Sequence, residues 1–475
     1  MDRSSIASEA RFEAYVEALI EVVGHADRAE PMRDYCTGLL LPMERKSVEP
    51  MAAATAPSRT AAKHQSLLHF VGNAKWSDEA VMSQVRELVL PAMTRAGPIE
   101  AWIVDDTGFP KKGVHSVGVA RQYCGQLGKQ DNCQVAVTLS IANAAASLPI
   151  AHRLYLPQAW ASDAARRKKA GVPDDIVFRT KPQIALEQIR AAQAAGVAPG
   201  VVLADAGYGV DTSFRTGVTQ LGLAYVMGVQ GSTTVWPPGL EPLPAKPWSG
   251  RGRPTSSLRR TDAHRPVSAK DLGISLPPRA WRTVTWREGT NAPLSSRFAA
   301  VRVRPAHRDT KLKSPRPVEW LLIEWPKGDK EPAKYWLSTL PRAIALRPLV
   351  EITKLRWRIE RDYQDLKQEI GLGDYEGRGW RGFHHHATLS IAAYGFLISE
   401  RGAIPPSGPR IRARAKASRR KAPGLPADYR PRGSPDPDRA PHHQLDRHTP
   451  TTPRQRTRAP PRSMSMLRKS KAFAE

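Results

Sequence analysis

At 475 residues the chain is long enough for two or three domains, because single hydrophobic cores usually stop growing well below that length. Its 72 Lys and Arg residues against 45 Asp and Glu residues leave a net charge of +27, which favours a nucleic-acid partner over a merely solvated basic surface. The three cysteines lack metal-ligand spacing, which argues against a disulfide framework or a zinc site. No apolar run approaches the roughly 18 residues of a membrane span. We therefore expect a soluble, cytoplasmic, nucleoid-associated protein with no membrane partner.

Residues 1–95 are predicted to form a helical module. Apolar residues recur there at helical spacing in two groups, which are Phe12, Tyr15, Val16, Leu19, Ile20 and Val23, and then Leu67, Leu68, Phe70 and Val71. The basic residues between these groups suit contact with DNA, and they suit a linker between helices equally well.

From residue 96 the pattern changes to short strands. Strand-like runs at 101–104, 135–141 and 150–156 precede a helical stretch at 182–195, a strand at 201–204, a further helix and a strand at 223–229. Strands in succession, followed by strands that alternate with helices, predict an α/β fold with a mixed sheet flanked by helices. Residues 96–229 would form the first part of this domain.

Residues 230–335 are predicted to be a β-rich insertion, because many Pro, Gly and Arg residues precede strand-like pieces around 281–286, 298–303 and 320–325. The last part of the α/β domain, 336–400, would contain a helix from about Pro348 to Ile370 that Gly371 ends. Residues 401–475 hold 19 Lys or Arg, 5 Asp or Glu and 13 Pro, which predicts a disordered basic tail.

Two apolar strands end in carboxylates. The first leads into Asp105 and Asp106, which would point to opposite faces if the strand continues through them, so at most one is expected to face a site. The second leads into Asp205 and a glycine-containing loop, where the carboxylate could also serve as a helix cap. A pair of such carboxylates is what an oxygen-preferring cation such as Mg²⁺ requires.

A third acid, Glu360, lies on the predicted helix between two cations. Arg356, Glu360 and Lys367 are separated by four and seven positions, so they share one helical face. An exposed, salt-bridged face would have the same pattern.

These three segments, in this order, resemble the DDE transposases of bacterial insertion sequences, in particular the group with a Tyr-x2-Arg-x3-Glu-x6-Lys signature. Arg356, Glu360 and Lys367 match that spacing within LRWRIERDYQDLK, whereas Thr353 stands at the position of the signature's Tyr. The stretch DDTGFPKKGVHSVGVARQYCGQLGK also resembles one branch of this group, and the similarity extends over roughly residues 35 to 400.

The resemblance implies a ribonuclease-H-like fold in which Asp105, Asp205 and Glu360 are the catalytic residues and the metal ligands. It implies two Mg²⁺ ions, roughly 4 Å apart and replaceable by Mn²⁺, which activate a water and stabilise the leaving oxygen as an element end is cut. The freed 3′-hydroxyl would then attack target DNA. Arg356 and Lys367 would contact DNA phosphates, and two DNA ends would be brought together by a homodimer.

Two other functions remain open at this point. A catalytically inactive, transposase-derived DNA-binding protein would keep the fold without the reaction. A metal-dependent DNA endonuclease would keep the triad and cut DNA without strand transfer.

Overall fold

The computed structural model of the chain describes residues 3–253, 255–287 and 293–403. From residue 404 onward, the predicted basic tail lies outside the described residues. Within these limits, no helix has both the length and the apolar character that crossing a bilayer requires.

The N-terminal residues form helices that pack on the last described helix. Apolar positions at helical spacing give each helix one buried face, and the Ser77 hydroxyl accepts a hydrogen bond from the Ala80 N–H at the start of the fifth helix. The Tyr15 hydroxyl donates to the Ala392 carbonyl at 2.8 Å, which ties the first helix to the last. The bounds are α1 (Arg3–Val23), α2 (Ala29–Leu40), α3 (Val48–Thr55), α4 (Thr60–Gly72) and α5 (Asp78–Ala96).

The next strands form the core of a mixed sheet. They are β1 (Ala101–Pro110), β2 (Ala120–Cys124), β3 (Lys129–Ala142), β4 (Ser147–Leu154), β5 (Val201–Ala204) and β6 (Tyr225–Val229). The central order is β4-β3-β1-β5-β6, in which β3 is antiparallel to β4 and β1, whereas β1, β5 and β6 are parallel; β2 pairs with the first part of β3. This is a ribonuclease-H-like sheet, so the predicted fold class is confirmed.

Helices cover both faces of this sheet. Those between the strands are α6 (Gln158–Ala161), α7 (Ala164–Ala170), α8 (Lys181–Ala194), α9 (Ala206–Gly209) and α10 (Thr212–Gln220). Alternate residues of β1 face opposite cores: Trp102 and Val104 join the core of the N-terminal helices and α8, whereas Ala101 and Ile103 face the second core.

The predicted β-rich insertion is continuous with the central sheet. Its elements are β7 (Thr234–Trp236), β8 (Val267–Ser268), α11 (Ala269–Ser275), β9 (Arg282–Arg287), β10 (Leu294–Pro305), β11 (Glu319–Trp325) and β12 (Lys334–Ser338). Strand β12 pairs antiparallel with β6, so the order continues as β6-β12-β11-β10. The insertion therefore lies beside the strand end that carries Asp205. The boundaries between the five proposed domains stay a prediction.

The single helix predicted from about Pro348 to Ile370 is wrong. The structure has α12 (Leu346–Lys354) and α13 (Trp357–Gln368), followed by α14 (Trp380–Ala403). At the break, the N–H groups of Leu355, Arg358 and Ile359 bond to carbonyls three residues back, whereas an α-helix uses the carbonyl four back. Apolar spacing continues through such a tight turn, so the periodicity did not reveal it.

The end of α12 is joined to the insertion through one lysine. The Lys354 ammonium lies over the rings of Trp286, Phe298 and Trp336, at 4.5, 5.3 and 5.2 Å from their centroids. It also donates to the buried Glu324 carboxylate at 2.6 Å. Burial lowers the pKa of Lys354, and the Glu324 charge opposes that shift. This contact fixes the insertion against the segment that leads into α13.

We predict that Lys354→Met destabilises the protein, because it leaves the Glu324 carboxylate buried without its cation. Breaking a buried pair from one side usually costs about 3–5 kcal/mol of unfolding free energy. The double variant Lys354→Met/Glu324→Leu should recover most of that loss, since no charge then remains buried. Urea unfolding of the two variants and the native chain measures this, and equal stability of both variants would contradict the pairing.

Candidate active site

Asp105 and Asp106 lie within β1, which continues to Pro110, and their side chains leave the sheet on opposite faces. Asp106 forms a salt bridge with Lys181 at the start of α8. The Asp105 carboxylate instead accepts a hydrogen bond from Arg356 Nη1, with Oδ2 at 2.6 Å. The predicted site therefore lies on the face of the sheet to which Asp105 points.

Asp205 follows β5 directly and caps α9. Its Oδ1 accepts hydrogen bonds from the N–H groups of Gly207 at 2.9 Å and Tyr208 at 3.3 Å, so the carboxylate is held by the helix that it begins. The turn is packed closely on β6: a Cβ on Gly228 would lie 2.8 Å from the Ala206 nitrogen. Only a residue without a side chain allows this approach, which fixes where Asp205 lies.

Arg356 brings the third predicted acid to the same place. It lies at the break before α13, and its Nη2 donates to Glu360 Oε1 at 3.1 Å while its Nη1 donates to Asp105. Arg356 is mostly buried, whereas the Glu360 side chain is 64% exposed and can still reorient. Two of the three predicted acids thus bond to one guanidinium, and Asp205 acts on Asp105 and Arg356 through its charge.

The electrostatics of the site are dominated by burial. Burial raises the pKa of Asp105 to about 7; the Arg356 charge opposes this rise, and the Asp205 charge adds to it. The pKa of Arg356 is raised, because the attraction of Asp105, Glu360 and Asp205 together exceeds the opposing effect of burial. Negative charge at Asp105 is therefore only partly compensated by the guanidinium.

Lys367 lies two turns along α13 from Glu360 and contacts the end of β1. Its ammonium donates to the Gly108 carbonyl at 2.6 Å and to the Gln126 side chain at 3.2 Å, and it lies 4.8 Å from the centre of the Phe109 ring. Burial lowers its pKa to about 8. The predicted DNA contact of Lys367 is not tested by these contacts, which hold it against the protein.

Thr353 occupies the position where the signature has Tyr, and its side chain is buried. Its hydroxyl donates to the Leu349 carbonyl at 2.6 Å, one turn back in α12. The hydroxyl is therefore used within the helix.

A cleft of about 610 Å³ separates these acids from the insertion. Asp205, Arg356 and Glu360 line one side, and the other side is aromatic, with Trp286, Tyr335 and Trp336. Trp357 lies at its edge, under the guanidinium of Arg287 at 3.9 Å. The cleft therefore opens directly beside the carboxylates of Asp205 and Glu360.

The donor set has the chemistry of a site for hard divalent cations, because Mg²⁺ and Mn²⁺ prefer carboxylate oxygens. In the described part of the chain, no three His, Cys, Asp or Glu side chains are grouped closely enough to hold a metal ion. The positive charge beside Asp105 and Glu360 is the Arg356 guanidinium. The carboxylates of Asp105 and Asp205 fit such a cation by their chemistry, and the exposed Glu360 would have to move toward them to complete the set.

Two tyrosines that the sequence did not assign to the site lie near Asp105. The Tyr363 hydroxyl is 2.5 Å from the Thr138 hydroxyl, and burial and the Asp105 charge raise its pKa. The Tyr208 hydroxyl is buried with no hydrogen-bond partner among the described residues, and the charges of Asp106 and Asp105 raise its pKa further. In the sequence, Tyr363 follows Glu360 by three residues and Tyr208 follows Asp205 by three residues. This spacing from the predicted acids could have identified them.

Comparison with known proteins gives two matches. A family model described as DDE superfamily endonuclease matches residues 18–293, a range that includes Asp105 and Asp205 and ends before α13. A probable transposase for insertion sequence element IS701 from Microchaete diplosiphon is 34% identical over 169 residues. That alignment covers 35% of this chain and 41% of the relative, so the matched segment spans less than half of the relative's length.

We predict that Asp105→Asn makes the cation-free protein more stable at pH 8 and leaves its stability nearly unchanged at pH 4. The folded carboxyl has a pKa of about 7 against an ordinary 3.8, so the native chain loses stability as pH rises through this window. At about 1.4 kcal/mol per pH unit the loss is on the order of 4 kcal/mol, and the pKa of about 7 already includes the opposing charge of Arg356.

Urea unfolding in EDTA at several pH values measures this difference. Asp106→Asn on the opposite face of β1 is the matched control, and it should be less stable than native because it removes the salt bridge to Lys181. A native chain whose stability does not fall between pH 4 and 7 relative to Asp105→Asn would contradict the burial of this charge.

Proposed function

Because this chain belongs to the DDE superfamily endonucleases, we propose that it is a transposase, which cleaves the ends of an insertion sequence and joins them to target DNA. The observation that carries the proposal is the meeting of Asp105 and Glu360 on Arg356, beside Asp205. The likeness of one segment to a probable insertion-sequence transposase supports the same reaction.

Asp105, Asp205 and Glu360 would hold Mg²⁺, or Mn²⁺ in its place, as two ions. Bound there, such cations supply Lewis-acid activation of a water or 3′-hydroxyl and stabilise the oxygen that leaves. Asp105 and Asp205 are fixed by a strand and a helix cap, whereas the exposed Glu360 adjusts to complete the set.

Arg356, in the turn before α13, and Lys367, on α13, would contact the DNA backbone. Arg356 lies beside the acids, and its planar guanidinium would bind a phosphate in a bidentate manner once cations replace it on the carboxylates of Asp105 and Glu360. Lys367 keeps most of its charge at neutral pH with a pKa of about 8, and it would contact a neighbouring phosphate as a point charge. The partners are then element-end DNA and target DNA, with a homodimer holding two ends.

We predict that Asp205→Asn and Glu360→Gln each abolish cleavage of labelled element-end DNA in Mg²⁺ and retain DNA binding. Each substitution keeps the shape of the side chain and removes one anionic ligand, and losses of at least about a thousandfold in rate are expected for such groups. Gel analysis of cut and joined products over time, with binding followed in parallel, measures both effects.

Glu351→Gln is the matched control for Glu360→Gln. Each glutamate follows an arginine by four residues and pairs with it, Arg347 in one case and Arg356 in the other. Only Glu360 lies at the cleft, so Glu351→Gln should cut and join as the native chain does. Cut products without joined products would indicate an endonuclease, and binding without cutting by the native chain would indicate an inactive DNA-binding relative.

A further inference from the structure

Two segments near the site carry positive charge that neither the core nor the triad uses. Residues 111–129 contain four Lys or Arg residues, one His and no Asp or Glu. Helix α7 contains four Lys or Arg residues in seven positions, again without an acid. Charges of a single sign within such a segment repel one another, and contact with a polyanion relieves that repulsion.

The loop at 111–118, which follows β1, is held rigidly by polar side chains of β3. The Asn132 amide donates to the carbonyls of Lys111 at 2.6 Å and Gly113 at 2.9 Å. The Gln134 amide donates to the Val117 carbonyl at 2.7 Å. Because the backbone is fixed from below, the exposed side chains of Lys112, Val114 and His115 are presented in one defined arrangement.

Further hydrogen bonds join this loop to α7 and to the segment that carries Arg378. The Val117 N–H donates to the Arg378 carbonyl at 2.9 Å, between α13 and α14. The Arg166 guanidinium of α7 donates to the Val114 carbonyl at 3.4 Å and lies 3.7 Å from the centre of the Trp160 ring. The loop, α7 and the segment around Arg378 therefore form one continuous surface.

We call the exposed cations of these segments the basic loop surface: Lys112, His115, Arg121, Lys168, Lys169 and Arg378. Within the described ranges, none of the six forms a salt bridge with a carboxylate. Two nearby acids are engaged elsewhere, since Asp163 caps α7 and Glu376 pairs with Arg45, whereas Asp174 and Asp175 lie exposed just after α7. Val114 and Tyr123 are also 62% and 60% exposed beside these cations.

The distance of this surface from the acids suits duplex DNA. Lys111 follows Asp105 by six residues along an extended strand, or about 20 Å. One helical turn of duplex DNA is about 34 Å long, so DNA with a phosphate at the acids would reach the loop within one turn. Lys367, which donates to Gly108 and Gln126, lies on the path between them.

From these observations we infer that the basic loop surface binds the phosphate backbone of duplex DNA on the side of the cleaved bond away from the insertion. This inference rests on the proposed function only for the identity of that DNA. A protein partner fits less well, because Lys is depleted from protein–protein interfaces, whereas Lys and Arg supply most phosphate contacts.

The test is the salt dependence of binding of the full chain to a fluorescein-labelled duplex of about 40 base pairs and arbitrary sequence. Each phosphate contact contributes about 0.9 to the slope of log affinity against log salt. Lys112→Gln/Lys168→Gln should therefore lower the slope by about 2 and weaken binding roughly tenfold near 0.1 M salt. Lys112→Arg/Lys168→Arg should keep the native slope, because the charge remains.

Arg95→Gln/Arg190→Gln is the matched control, since it removes two exposed charges from α5 and α8. Its slope should equal the native slope, and thermal unfolding should confirm that every variant is folded. An unchanged slope in Lys112→Gln/Lys168→Gln, or an equal decrease in the control, overturns the inference. A change in self-association with an unchanged slope also overturns it, in favour of an interface between copies.

The proposed transposase activity can fail separately. If the native chain cuts no DNA in Mg²⁺ while Lys112→Gln/Lys168→Gln still lowers the slope, the basic loop surface binds DNA as inferred and only the reaction is refuted. If the native chain cuts DNA and the slopes are equal, the reaction stands and the surface does not bind the backbone.

Discussion

The Arg356 guanidinium donates to Asp105 on β1 and to Glu360 on α13, and the arrangement of the acids depends on this contact. Carboxylates that converge on a partly buried place repel one another and lose hydration. One planar guanidinium can offset two of them at once, because its nitrogens point in different directions; the single ammonium of a lysine could not do so with the same geometry. The break between α12 and α13 places Arg356 at this point, so the break belongs to the architecture of the site.

The rest of the fold holds the two sides of this contact in place. Strand β1 is central, with β3 and β5 on either side, so Asp105 has little freedom to move. On the other side, the Lys354 ammonium is enclosed by aromatic rings of the insertion, only two residues before Arg356. Because β12 continues the sheet beyond β6, the insertion, the Asp205 turn and the start of α13 form a connected frame. This arrangement buries the carboxylate of Asp105. Burying its charge is unfavourable, and the pKa of Asp105 is therefore raised.

The sequence revealed what depends on neighbours in the chain. Apolar spacing predicted the N-terminal helices, and apolar runs that end in Asp105 and Asp205 predicted two strands of the confirmed α/β fold. Of the residues chosen for the site, Asp105, Arg356 and Glu360 are in contact in the structure, although their roles stay predictions. What the sequence did not reveal depends on distant contacts: Glu324 is thirty positions from Lys354 and Asp105 is far from Arg356, and no local pattern records such pairs. The face chosen by Asp105 over Asp106 likewise required knowing that β1 continues to Pro110.

The most direct test of the triad as one cation site is Mn²⁺ binding, measured by the loss of the free-ion signal in electron paramagnetic resonance. The native chain should bind Mn²⁺ in competition with Mg²⁺, and Asp105→Asn, Asp205→Asn and Glu360→Gln should each weaken that binding by at least roughly tenfold, because each removes an oxygen ligand of the same site. Native-like Mn²⁺ binding in all three variants would contradict a shared site and would leave the contacts of Asp105 and Glu360 with Arg356 as purely structural.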